Sequence, residues 1–108
     1  MTWAAPKQLA LLADPIDERF AAFHHGNPHV YAALVELARE WKSAGNSVCS
    51  MDLLFNRLRW DFGVRGDGDQ FALNNSYRSR YSRLIEANEA DLVGFFTKRR
   101  LAADWDAA

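Results

Sequence analysis

Apolar residues recur along this chain at helical intervals, and signals for starting and stopping a helix divide them into segments. In Asp14-Pro15-Ile16-Asp17 an acidic cap precedes a proline suited to the first helical position, with a second carboxylate where the helix dipole favours it. A helix over residues 15–25 is predicted, burying Ile16, Phe20 and Phe23 and ending at His25-Gly26. Asn27-Pro28 repeats the start signal, and Val30, Leu34, Leu37, Ala38 and Trp41 then follow one helical face as far as Ala44-Gly45-Asn46. Ser50 is the expected cap of a third helix over 50–62, which carries Met51, Leu54, Phe55, Leu58 and Phe62 inward and is closed by Gly63.

Residues 63–73 hold three glycines and a Gly-Asp-Gly-Asp turn, and read as a loop or minimal hairpin. Asn74 or Asn75 then caps a helix over 75–87 whose apolar side is Tyr77, Tyr81, Leu84 and Ile85. A last helix is predicted from about residue 89 to 102, with Leu92, Phe95 and Phe96 inward and Lys98-Arg99-Arg100 in its final turn. No stretch alternates apolar and polar residues in the manner of a half-buried strand. The expected fold is all-α, a compact bundle of four to six helices, helix-turn-helix-like but with a long connection at 63–73. Its core is expected from Phe20, Phe23, Leu34, Leu37, Trp41, Leu54, Phe55, Leu58, Tyr81, Leu84, Leu92 and Phe96.

Length adds a bound: 108 residues, 49% of them hydrophobic, fill one modest domain and not two. A single domain over 1–108 is expected, with loosely packed ends at 1–13 and 103–108. No apolar run reaches the roughly 18 to 20 residues of a spanning helix, and the opening residues lack the pattern of a signal peptide. A cytoplasmic location without membrane association is expected.

Few residues suggest chemistry. Cys49, the one cysteine, has no disulfide partner and is expected to be a small buried apolar group, with a lowered pKa near a helix start as the lesser alternative. His25 and His29 have the offset of a helical metal site, yet Pro28 sets a helix start between them and no third ligand follows. A capping or half-buried role is expected for His24, His25 and His29, and no metal. Asp67 and Asp69 open like a calcium loop, but the twelfth position is Arg78 in place of glutamate. No nucleophile, base and acid set can be assigned and no phosphate-cradling glycine motif is present. The chain is therefore read as a non-enzyme with no cofactor and no small-molecule substrate.

Charge placement says more than the net charge of -1. Residues 57–83 hold six arginines against three aspartates, whereas the rest of the chain is net acidic. Arginine binds phosphate or guanine bidentately, and a helix with Arg78, Ser79, Ser82 and Arg83 on its open side has the make-up of one that enters a major groove. DNA is therefore the first expected partner. Asn75, Arg78, Ser79, Ser82 and Arg83 would approach bases or phosphates, and Arg57, Arg59, Arg65, Lys98, Arg99 and Arg100 would hold the backbone. Its structural counterpart is that the same arginines pair with nearby carboxylates.

A different class of partner is suggested by the third helix. Leu53 and Trp60 lie opposite its inward stripe, flanked by Asn56 and Arg57. This line is either core for another helix or a contact surface for a host protein or a second copy.

Several phrases carry a resemblance: Phe20-Ala21-Ala22-Phe23-His24 with Asn27-Pro28-His29-Val30-Tyr31, Leu58-Arg59-Trp60, Leu73-Asn74-Asn75 through Arg80-Tyr81, and Gly94-Phe95-Phe96 with Arg99-Arg100-Leu101. Over about residues 18–101 the chain resembles small proteins encoded by tailed phages and prophages of actinobacteria. The resemblance implies a phage product acting in a bacterial cytoplasm, where proteins of this size mostly bind DNA or a host protein. It assigns no role to any single residue.

Overall fold

A computed structural model describes residues 15–65 and 73–97. Among the described residues four α-helices follow in order: α1 (Pro15–Gly26), α2 (Pro28–Ser43), α3 (Met51–Arg65) and α4 (Arg78–Asn88). Single 3₁₀ turns, Asn75–Tyr77 and Ala90–Leu92, flank α4. The architecture is an all-α bundle, and no helix among the described residues is long and apolar enough to cross a membrane.

The helix boundaries follow local chemistry. Pro28 opens α2, where its missing N–H costs no hydrogen bond. The Asn27 side chain turns back and donates to the Phe23 carbonyl at 2.9 Å, closing α1 rather than capping α2. Gly45 takes a φ of 104° just after α2, a conformation open to glycine and strained for other residues. The Ser50 hydroxyl accepts from the Asp52 N–H at 3.1 Å, as a helix cap does. Asn74 accepts from the Ser76 N–H at 2.8 Å and so starts a 3₁₀ turn before α4.

Two boundaries differ from the sequence expectation. Gly63 does not close α3, which continues in helical conformation to Arg65. The final helix is replaced by the 3₁₀ turn at Ala90–Leu92, a left-handed Gly94 with φ 74°, and an extended segment. That segment pairs with residue 49: the Cys49 N–H donates to the Phe95 carbonyl, and the Thr97 N–H to the Cys49 carbonyl, both at 2.9 Å. Leu92, Phe95 and Phe96 are buried as expected, by a turn and a bridge rather than by a helix face. Residues 98–102 lie outside the described residues.

The core joins Val30, Leu34, Val35 and Ala38 of α2 to Met51, Leu54, Phe55, Leu58 and Phe62 of α3, with Tyr81 and Ile85 of α4 between them. Tyr77 and the Leu92, Phe95 and Phe96 side chains close its ends. Helix α1 buries no residue fully. Its Ile16, Phe20 and Phe23 are half-buried against the rest, with Phe20 edge-on to Tyr81 at 4.8 Å between ring centroids. Trp41, expected inside, is exposed because α2 outruns the core, and its indole N–H donates to the Val48 carbonyl at 2.8 Å. Leu37 and Leu84 are half-buried.

A polar clamp ties the segment after α4 to α2. Arg39 donates two bonds to Asp91 at 3.0 Å and one to Glu89 at 2.7 Å, and the Tyr31 hydroxyl donates to Glu89 at 2.8 Å. The Arg39 guanidinium holds the Asp91 carboxyl below its ordinary range.

Candidate functional site

The residues expected to form an open cationic flank on α4 are largely engaged. Arg78 pairs with Asp52 of α3 and donates to the Asn75 carbonyl at 2.9 Å. Arg80 pairs with Asp17 of α1 at 2.7 Å. Ser82 is 2% exposed, and its hydroxyl donates within α4 to the Arg78 and Ser79 carbonyls at 3.1 Å each. A serine whose hydroxyl is satisfied by the preceding turn can be buried at little cost, so α4 is rolled toward Arg78 and Ser82 and away from Leu84. Ser79 is half-buried. The expectation of a continuous open strip is corrected to one exposed guanidinium, Arg83, which has no carboxylate partner among the described residues.

The supporting arginines divide similarly. Arg57 pairs with Asp61 one turn along α3 at 3.1 Å. Arg59 donates to the Leu73 carbonyl at 2.9 Å and to the Asn75 side chain at 2.5 Å, and so holds the start of the 3₁₀ turn against α3. Arg65 donates to the Asp61 carbonyl and lies over the Phe62 ring, 5.1 Å from its centroid. Lys98, Arg99 and Arg100 fall outside the described residues.

The outer face of α3 is the clearer feature. Trp60 is 70% exposed, Val64 70% and Leu53 42%. At 100° per residue these three and Arg57 fall within an arc of about 60°, opposite the buried stripe of Met51, Leu54, Phe55, Leu58 and Phe62. Their numbers, 53, 57, 60 and 64, advance by four, three and four, the a/d spacing along which one helix packs against another. Asn56 and Asp61 border the line. Val64 was missed at the sequence level because Gly63 reads as a stop signal, although the four-three-four spacing was already present.

The pair of charges on this face runs against the preference of an isolated helix. An acid one turn before a base suits the macrodipole, whereas here Arg57 precedes Asp61. Asp52 in the first turn of α3 and Arg65 in its last follow the favoured order. The Arg57–Asp61 order therefore contributes little to α3 itself.

Other candidates carry less chemistry. Cys49 is buried, and burial pushes its thiol up to about 11, away from the thiolate a nucleophile requires. His24 stacks on Phe20, His29 meets the Phe62 ring and His25 is exposed, so the three do not converge. An open groove of about 500 Å³ lies along α2, lined by Tyr31, Ala32, Val35, Glu36, Arg39 and Glu89. Its one cation, Arg39, is already bound by two carboxylates.

No family model, curated protein or solved structure matches this chain.

Proposed function

We propose that the chain is a non-enzymatic interaction protein that receives a partner helix on the outer face of α3. The carrying observation is the exposed line Leu53–Arg57–Trp60–Val64, set at the spacing of a helix-packing seam and backed by a rigid core stripe. A tryptophan exposed to this degree between two exposed aliphatic residues is costly in water, and covering it is favourable by roughly 25 cal/mol for each Å². The resemblance to phage products supports a setting in a bacterial cytoplasm, with a host protein or another copy as the partner.

Nucleic acid competes for the arginines rather than for this face. Three of the six guanidinium groups in 57–83 are neutralised by Asp17, Asp52 and Asp61, which would repel a phosphate that approached them. Such binding would rest on Arg59, Arg65 and Arg83, with a salt slope near 3 by the relation of about 0.9 per phosphate contacted.

The test is capture from host lysate on immobilised wild-type protein and on Trp60→Ala, each with and without nuclease. A nuclease-resistant protein held by the wild type and lost from Trp60→Ala is the expected result. Recovery that nuclease abolishes, or that ignores Trp60→Ala, overturns the proposal. Trp60→Ala is expected to cost under about 1 kcal/mol of stability, against the 3–5 kcal/mol of a buried aromatic, so lost capture will not reflect unfolding.

A further inference from the structure

The geometry points to a second copy of this chain as the helix that fills the α3 seam, packed antiparallel about a two-fold axis. This rests on the proposed use of the α3 outer face, and adds the identity and direction of the occupant. A two-fold interface must be complementary to itself, because each contact occurs twice with the partners exchanged. The seam meets that condition in the antiparallel direction. With its midpoint on the axis, Leu53 of one copy faces Val64 of the other and Arg57 faces Trp60, while the Asp61 residues of both copies flank the same edge of the seam.

Each pairing is favourable in kind. Leucine against valine is apolar contact, and a guanidinium over an indole is a cation–π pair. Asp61 of the second copy then borders Arg57, so each guanidinium meets a carboxylate across the axis as well as the one on its own helix at 3.1 Å. The parallel arrangement places Arg57 on Arg57 at the centre of the seam, which is repulsive. The charge order that contributes little to an isolated α3 thus acquires a use between copies. A charged residue at a central a position trades affinity for register in paired helices.

Size sets the strength. From Leu53 to Val64 the seam is about 16 Å long at 1.5 Å per residue, and a strip of that length about 10 Å wide covers on the order of 200 Å², well short of the roughly 800 Å² per partner of a stable standard interface. The dimer is therefore weak and reversible, with a dissociation constant on the order of 10 to 100 μM.

Sedimentation velocity on the full chain across that concentration range provides the first reading. The sedimentation coefficient is expected to rise from monomer to dimer. Arg57→Glu alone and Asp61→Arg alone are expected to weaken association at least about tenfold, and an equimolar mixture to restore it as a heterodimer. Circular dichroism of each variant checks that the helices are intact. Direction is read separately by oxidation: Leu53→Cys with Val64→Cys in one chain should cross-link two copies, while Leu53→Cys alone should not.

A wild-type chain that stays monomeric throughout, a charge-swapped mixture that fails to associate, or efficient cross-linking through Leu53→Cys alone each overturns the inference. A monomeric wild type that still captures a lysate protein through Trp60 removes the second copy and leaves the partner-helix reading standing. Loss of both removes the face altogether.

Discussion

Replacing Tyr81 with phenylalanine is expected to stabilise the protein, the opposite of the usual outcome for a fully buried residue. Tyr81 has 0% exposure, and its hydroxyl finds no hydrogen-bond partner among the described residues. The ring is held edge-on by Phe20 at 4.8 Å and by Phe55 at 6.0 Å between centroids, contacts a phenylalanine would retain. A buried hydroxyl without a partner costs about 1–3 kcal/mol. Removing the oxygen leaves a void of roughly 10–15 Å³, which at about 24 cal/mol per Å³ returns only some 0.3 kcal/mol. The net gain is about 1–2 kcal/mol, or roughly 5 to 10 °C in melting temperature for a domain of this size. Calorimetry and urea titration of Tyr81→Phe measure it directly. A loss of stability would show that the hydroxyl is bonded in solution and refute the reasoning. Among the described residues His24 Nδ1 is the other buried side-chain polar atom without a partner, and its ring centroid lies 6.1 Å from that of Tyr81.

Gly63→Ala should raise stability by about 0.5–1 kcal/mol, because Gly63 is helical and a Cβ there would meet open space; a lower urea midpoint would show that the end of α3 needs glycine. The Cys49 thiol, pushed up to about 11, stays neutral in the fold where an unfolded thiol ionises near 8.5–9. Its contribution is fully present below pH 9 and falls away as pH rises to 11, by up to about 1.4 kcal/mol per unit. The stability difference between wild type and Cys49→Ala should shrink over that window, and a difference constant from pH 8 to 11 contradicts the burial argument.

Local pattern made α2 and α3 legible. The spacing of Val30, Leu34 and Ala38, and of Met51, Leu54, Phe55, Leu58 and Phe62, is that of faces which do become core. Pattern fails where a distant contact decides the conformation. Leu92, Phe95 and Phe96 have helical spacing and are buried, but Gly94 turns the chain so that residues 95–97 reach Cys49, 46 to 48 positions earlier. Glycine is ambiguous for a related reason. Gly45 and Gly94 use a positive φ whereas Gly63 does not, and composition alone does not separate them. In the candidate site, the apolar line of Leu53 and Trp60 was visible because it lies on one helix. The neutralisation of Arg78 by Asp52 and of Arg80 by Asp17 was not, since each joins different helices.

These two kinds of contact also decide which surface is available. The α4 flank is polar by sequence, yet its groups meet their partners inside the fold: Ser82 in the preceding turn, Arg78 on α3 and Arg80 on α1. A ligand there must first break an ion pair and leave a carboxylate uncompensated beside it, which offsets most of what a new ion pair contributes. Nothing comparable opposes a partner on α3. Leu53, Trp60 and Val64 are already exposed, and α3 is held from behind by its buried stripe of Met51, Leu54, Phe55, Leu58 and Phe62, so little is left to order on binding. A helix of this kind is apolar on two opposite sides. One side is accounted for by the core, and the other remains for a partner.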